Sequence, residues 1–146
     1  MIENTVLSYS KQIDCPVAVI YQEVIEETLQ FFKYYDNHIT QLQEQMTIKK
    51  PFFTKTTKER VWGKTTIIEM KENHSLKLSS SYAGGNILHC FLFETVNGKT
   101  KIEYQEANSF TDKSKQVNFF IVSLLYRFVF KYKAAKRLKY IATKVA

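Results

Sequence analysis

Residues 124–141, LLYRFVFKYKAAKRLKYI, decide how this chain folds, because an apolar run passes directly into a basic one and no acid interrupts either half. Proline is absent after Pro51, so nothing interrupts a helix that we predict over roughly residues 114–144. A helix of that length must bury its apolar side against another layer of structure. The remainder of the chain therefore has to supply that layer.

The layer is predicted to be an antiparallel sheet. Asn97-Gly98, between two strand-like segments, is the clearest hairpin signal in the chain. In the last segment Ile102 and Tyr104 alternate with polar residues, which is typical of a sheet with one solvated face. Five consecutive strands without an intervening helix indicate a meander. The strand-like segments are MTIKKPFFTKTT, RVWGKTTIIEM, SLKLSSSYA, NILHCFLFETV and TKIEYQEANSF.

Another strand and a helix precede this sheet. Residues 5–13, TVLSYSKQI, are rich in β-branched and aromatic residues and predict a strand. Residues 14–32 follow with Asp14 or Cys15 as the predicted cap, Pro16 in the first turn, and apolar residues at helical spacing. Residues 33–46 are ambiguous and are compatible with a shorter second helix. The predicted class is α+β: a curved antiparallel sheet of about six strands, one or two helices after the first strand, and a long C-terminal helix, in one domain spanning residues 1–146.

Charge is distributed unevenly along the chain. The net charge is +7, but residues 113–146 contain nine Lys and Arg residues and no acid, whereas residues 1–112 contain 12 basic and 14 acidic residues. The basic character therefore belongs to the C-terminal segment and bears on the partners of that segment.

A cytoplasmic location is expected. Cys15 and Cys90 are too few for a disulfide framework and fit a reducing compartment. The N-terminal residues MIENTVLSYSK lack the basic start and apolar stretch of a secretory signal. Spanning a bilayer takes about 20 apolar residues. The 14 residues VNFFIVSLLYRFVF fall short of that length and contain Arg127.

The order of elements, with a proline-started helix after the first strand and a long final helix, resembles the helix-grip fold of the START and Bet v 1-like (SRPBCC) superfamily. More narrowly, FVFKYKAAKRLKYI after the strand KIEYQEANSF is similar to a small bacterial family in that superfamily with no assigned activity. The resemblance covers nearly the whole chain. It implies a cavity between the sheet and the C-terminal helix, often holding a lipid, sterol or polyketide-like molecule, and no universal catalytic residue.

Binding of a small hydrophobic or amphipathic ligand in that cavity is the expected function. The 11 Phe, nine Tyr and one Trp would either fill an interior or line a hollow one. His89 shares a strand face with Phe91 and Phe93 and is either a structural histidine or a polar anchor for the ligand. Tyr82 and Tyr104 are likewise either cavity hydroxyls or ordinary packing. The candidate cavity residues are Tyr82, His89, Phe91, Phe93, Tyr104, Ile121, Leu124, Leu125 and Phe128.

No catalytic, metal or cofactor motif accompanies these residues. His38, His74 and His89 lack any metal-ligand spacing, and His89 and Cys90 should point to opposite faces of their strand. The sequence therefore predicts no cofactor and no catalytic residues. An enzyme such as a cyclase or hydratase remains compatible with it.

The final helix has two sides with different chemistry. One side is predicted to be an apolar stripe that covers the sheet. The opposite side is apolar early and basic late. The stripe consists of Val117, Ile121, Leu124, Leu125, Phe128, Tyr132, Ala135, Leu138 and Ala142, and the outer side of Phe119, Val122, Tyr126, Val129, Phe130, Lys133, Lys136, Arg137 and Lys144.

Three explanations for the apolar part of the outer side stay open: contact with the rest of the domain, a homodimer, or docking on an anionic membrane. The last two together form the alternative function, a protein that docks on a membrane or associates with itself. Nucleic acid is disfavoured, because the aromatic residues do not alternate with the charges. The surface candidates are Phe119, Tyr126, Phe130, Lys133, Lys136, Arg137 and Lys139.

Overall fold

The computed structural model describes residues 5–53, 60–110 and 113–145. Six strands form one antiparallel sheet in the order β1-β6-β5-β4-β3-β2, which confirms the predicted α+β class and meander. Strand β1 reaches its place beside β6 because α1 carries the chain across the sheet. The elements are β1 (Thr5–Ile13), α1 (Val17–Tyr35), β2 (Thr47–Phe53), β3 (Arg60–Lys71), β4 (Ser75–Tyr82), β5 (Gly85–Val96), β6 (Lys99–Phe110) and α2 (Lys113–Val145).

Tight turns and one bulge shape the sheet. Asn97 and Gly98 join β5 to β6 with φ angles of 51° and 78°, as a two-residue hairpin with both central angles positive requires. Asparagine and glycine tolerate this left-handed region better than other residues. The pairing of β3 with β4 shifts register between Ile67 and Glu69, and a bulge of this kind bends the strand that carries it.

Helix α1 begins later than its predicted cap. Its cap position is Pro16, and no side chain caps the helix, so the predicted capping by Asp14 or Cys15 is wrong. The backbone N–H of Cys15 instead donates to the Ile13 carbonyl at 2.9 Å, in a turn that ends β1. The predicted apolar face is confirmed, since the buried residues of α1 are Ile20, Tyr21, Val24, Thr28 and Phe32.

Residues 36–46 form turns, so one helix and not two follows the first strand. The carboxylate of Asp36 accepts a hydrogen bond from the backbone N–H of His38 at 3.1 Å. Local bonds of this kind compete with the helical backbone pattern. Ile39, buried in the core, then fixes the segment against the sheet.

The core lies between one face of the sheet and the two helices. Helix α2 packs on β1, β6 and α1. Among the described side chains of α2, the buried ones follow one another at spacings of three and four: Phe130, Ala134, Leu138 and Ile141. They meet fully or almost fully buried sheet residues such as Phe91 and Ile102.

This buried side of α2 corrects the predicted stripe. Phe130, which was predicted on the outer side, is only 3% exposed, whereas Tyr132, predicted against the sheet, is 69% exposed. The helix is rotated relative to the prediction, because its apolar residues surround the axis before Lys131 and leave the phase of the stripe undetermined. For Phe130, contact with the rest of the domain is the right explanation. The side chains of Val117, Phe119, Ile121, Val122, Leu124, Leu125, Tyr126 and Phe128 lie outside the described part of the structure.

Candidate ligand site

A cavity of about 230 Å³ opens between the sheet and the two helices. Five of the six strands and both helices contribute to its described lining, so its shape depends on the whole fold. Its volume is below the roughly 300 Å³ at which most ligand pockets begin, which limits an occupant to a small molecule. The described lining residues are Thr28, Phe31, Lys50, Thr65, Leu78, Ser80, His89, Phe91, Tyr104 and Arg137.

A hydrogen bond between His89 on β5 and Tyr104 on β6 joins these two neighbouring strands beneath the cavity. The Nδ1 atom of His89 and the hydroxyl oxygen of Tyr104 are 2.8 Å apart. Tyr104 is buried, and this burial raises the pKa of its hydroxyl, with a smaller contribution in the same direction from Glu106. The hydroxyl therefore stays protonated at neutral pH and can donate a hydrogen bond.

A second polar pair lies on β3 and β4. Thr65 and Ser80 face each other in the strand register, and each is only 2% exposed. Their hydroxyl oxygens are 2.8 Å apart. One hydroxyl donates to the other, so the pair keeps one hydroxyl hydrogen that this bond does not use.

Two cations complete the lining. The Nζ atom of Lys50 lies 4.9 Å from the centroid of the Phe31 ring and 5.7 Å from that of Tyr35. The Cζ atom of Arg137 lies 4.9 Å from the centroid of the Phe91 ring. Aromatic faces attract cations at such distances. Burial lowers the pKa of the Lys50 ammonium, because the protein replaces part of its hydration.

Two more polar residues are buried on the same side of β6, beside the lining. Glu106 is 6% exposed and Asn108 is 2% exposed. The Nδ2 atom of Asn108 donates to the Glu106 carboxylate at 3.3 Å. Together with Tyr104 they form a polar row under the helices, in a position where most proteins place apolar residues.

The structure brings together three of the predicted cavity residues, His89, Phe91 and Tyr104. Phe93 packs instead in the core, edge-on to Tyr21 with ring centroids 5.1 Å apart. Tyr82 ends β4 and is not among the described lining residues. The helix candidates Ile121, Leu124, Leu125 and Phe128 are outside the described side chains.

The predicted surface residues of α2 separate into two groups. Lys133, Lys136 and Lys139 are exposed. Arg137 is exposed like them, and it also lines the cavity, because the rotation of α2 brings its guanidinium over Phe91. Phe130 is in the core, and the side chains of Phe119 and Tyr126 lie outside the described residues.

Several lining residues escaped the sequence prediction. Lys50, Thr65 and Ser80 carry no motif, and their convergence depends on the strand register. Glu106 and Asn108, which lie beside the lining, did have a signal, because they continue the buried alternation of Ile102 and Tyr104 on β6.

Nothing in the described residues points to a metal or a membrane-spanning helix. No three His, Cys, Asp or Glu side chains converge within those residues as a metal site would require. Over the same residues, neither helix has an apolar stretch long enough to cross a bilayer.

No protein-family model and no curated protein matches the sequence. Solved structures do match. TTHA0849 from Thermus thermophilus has a TM-score of 0.62 at 12% identity, with 97% of each chain covered. Ara h 8.0201 has a TM-score of 0.59 at 11% identity, with 98% of each chain covered. The Aha1 dimer from Colwellia psychrerythraea has a TM-score of 0.56 at 16% identity, covering 97% of this chain and 96% of that one. Identities this low establish the fold alone, and the chain has the Bet v 1-like (SRPBCC) helix-grip fold.

Proposed function

We propose that this protein binds a small amphipathic molecule in the cavity between its sheet and its two helices. The observation that carries the proposal is the composition of the lining, in which Phe31, Leu78 and Phe91 supply apolar surface and a few polar groups converge between them. Ligand sites combine mostly apolar walls with a few placed polar groups that set orientation. The free thiols of Cys15 and Cys90 fit a function in the reducing cytoplasm.

The polar groups suit binding better than they suit a defined reaction. The hydroxyl groups of Tyr104, Thr65 and Ser80 are held by hydrogen bonds at 2.8 Å, so they present polar groups at fixed positions to a ligand. A hydrogen-bonding site of this kind rejects molecules that leave its buried groups unpaired. Specificity would therefore come from the polar groups and affinity from the apolar walls.

Native mass spectrometry of protein purified without detergent tests this proposal. We expect extra mass that disappears on denaturation, or binding of added N-phenyl-1-naphthylamine with enhanced fluorescence. Leu78→Trp should fill the cavity and abolish both signals. Ile68→Trp adds similar bulk on β3 at a residue that is 38% exposed, and it should leave them intact. Protein that carries no extra mass and does not bind the dye would contradict the proposal.

The outer surface of α2 supports a second candidate, docking on an anionic membrane. Lys133, Lys136 and Lys139 are exposed there together with Tyr132 and Tyr140, which are 69% and 52% exposed. Cations beside aromatic residues attract anionic lipid headgroups. Self-association through the same surface is less favourable, because it would bring like charges together.

Co-sedimentation with phosphatidylserine-containing vesicles tests this second candidate. We expect binding that weakens as salt is added, and that is lost when Lys133, Lys136 and Lys139 are all replaced by Gln. Replacing Lys11, Lys99 and Lys101 by Gln removes the same charge from the sheet and serves as the control. If both triple variants behave alike, binding reflects net charge and not this surface.

A further inference from the structure

The charged residues in the described part of the cavity lining are all positive. The described lining residues include two cations, Lys50 and Arg137, and no acid. Lys50 comes from β2 and Arg137 from α2, so the sheet and a helix each contribute a positive charge. An opposite charge between them would interact more strongly than in bulk water, because the protein interior has a lower dielectric constant.

Both cations are held beside the cavity by aromatic rings. Lys50 lies over Phe31, and Arg137 lies over Phe91 with Tyr104 next to it, at 5.8 Å from the Tyr104 ring centroid. Phe31, Phe91 and Tyr104 themselves line the cavity. The cations are therefore positioned before any ligand arrives, which reduces the entropy lost on binding.

The neutral polar groups of the lining are able to donate as well. The Thr65–Ser80 pair retains one hydroxyl hydrogen beyond their mutual bond. A carboxylate accepts hydrogen bonds and donates none, so it matches a lining made of cations and hydroxyl donors.

Carboxylates of the protein near Arg137 and Tyr104 could compete with such a ligand for the cations. Glu23, Glu26 and Glu27 on α1 line the outer groove between the helices, and Arg137 lines this groove too. Arg137 opposes the burial that raises the pKa of the Glu27 carboxyl. Glu106 lies beside Tyr104 but accepts a hydrogen bond from Asn108 and is not among the described lining residues. None of these carboxylates is among the described residues that line the cavity.

We propose that the cavity selects a small, flat molecule that carries a carboxylate or a similar anionic group, with the anion bound by Lys50 and Arg137 and the ring packed on Phe31, Leu78 and Phe91. This inference rests on the proposed binding function and names its ligand class. The partly buried position of the Lys50 ammonium supports it, because an ammonium attracts an anion more strongly where less water screens the two charges. The volume of about 230 Å³ limits the molecule to one or two rings.

Titration with 2-naphthoate and 2-naphthamide separates charge from shape, because the two probes are nearly isosteric and differ in charge. We expect the wild-type protein to bind 2-naphthoate about tenfold more tightly than 2-naphthamide, as a charge-assisted hydrogen bond allows. Lys50→Met and Arg137→Met should each remove most of this preference and change the affinity for 2-naphthamide less than about twofold. Arg137→Lys, which keeps the charge, should retain much of it.

Lys49→Met and Lys136→Met are the matched controls, since both residues are exposed neighbours of the two cations and neither is among the described lining residues. Both should keep the preference for 2-naphthoate. Equal binding of the two probes, or an equal loss in the control variants, would overturn the anionic ligand class while leaving a cavity-binding function in place. Failure of both probes to bind, in protein that also carries no co-purified molecule, would overturn both proposals.

Discussion

The Nδ1 atom of His89 and the hydroxyl oxygen of Tyr104 lie 2.8 Å apart and connect β5 to β6 beneath the cavity. The two residues are not direct partners in the strand register, because His89 is opposite Glu106 and Tyr104 is opposite Phe91. Their rings are stacked with centroids 6.3 Å apart. The bond therefore runs diagonally between the two strands and fixes two of the polar side chains that line the cavity.

Tyr104→Phe should remove this bond and leave the ring packing in place. We expect the free energy of unfolding to fall by about 1 kcal/mol, the usual net contribution of such a hydrogen bond. Urea denaturation at neutral pH measures the change. Tyr140→Phe, at a residue 52% exposed, is the control and should change stability by less than about 0.5 kcal/mol. Equal stability of the two variants would mean that the bond is not formed in solution.

Tyr104 should also make the protein sensitive to alkali. Burial raises the pKa of its hydroxyl above the ordinary 10.0. Below pH 10.0 the folded and unfolded chains both keep this proton, and the stabilisation is fully present. Above that pH the unfolded chain releases the proton first, so it binds fewer protons than the folded chain and stability falls as pH rises.

Urea midpoints at pH 8 and pH 11, compared between the wild type and Tyr104→Phe, measure this linkage. We expect the wild type to lose more stability over this range, because the variant cannot ionise at residue 104. Burial raises the pKa of Tyr21 and Tyr82 too, but both proteins contain them, so their contribution cancels. An equal loss in both proteins would contradict the prediction.

The orientation of α2 is open to a direct test. Leu138 is fully buried against the sheet, and Tyr132 is 69% exposed. Leu138→Ala should lower the free energy of unfolding by about 3 kcal/mol, because it removes buried methyl groups and leaves a void. Tyr132→Ala should change it by less than about 0.5 kcal/mol. A large loss in both variants would instead restore the predicted stripe, in which Leu138 and Tyr132 both face the sheet.

The strands were predictable because their signals are local. Alternation along β6 and the Asn97-Gly98 turn act over a few residues, and a meander needs only that each strand pairs with the next. The absence of a second helix was harder to predict, because it depends on a local hydrogen bond of Asp36 that competes with the helical backbone pattern.

The cavity required tertiary information. Thr65 and Ser80 meet only once β3 and β4 are aligned, and a shift of one strand by one residue would put the two side chains on opposite faces of the sheet. Arg137 joins Lys50 only because Phe130, Ala134 and Leu138 set the rotation of α2. The helix alone allows several rotations, and the shape of the sheet selects one.

A substitution at Gly85 tests how closely the backbones of β5 and β6 approach each other. A Cβ atom at Gly85 would overlap the carbonyl oxygen of Ser109 and lie 3.1 Å from the Cα atom of Phe110. These obstacles are backbone atoms, so no side-chain rotation can relieve the overlap, and Gly85→Ala should cost about 2 kcal/mol or more in unfolding free energy.

Gly98→Ala is the informative comparison, because nothing lies within 4 Å of a Cβ at Gly98 and its φ is +78°. Its cost should be about 1 kcal/mol, from backbone angle alone, and Gly98→Asn should cost less, because asparagine tolerates this region. Urea denaturation of the three variants ranks them. If Gly85→Ala is no more destabilising than Gly98→Ala, then β5 and β6 can move apart near Gly85. The sheet under the cavity would then be more deformable than its hydrogen bonds indicate.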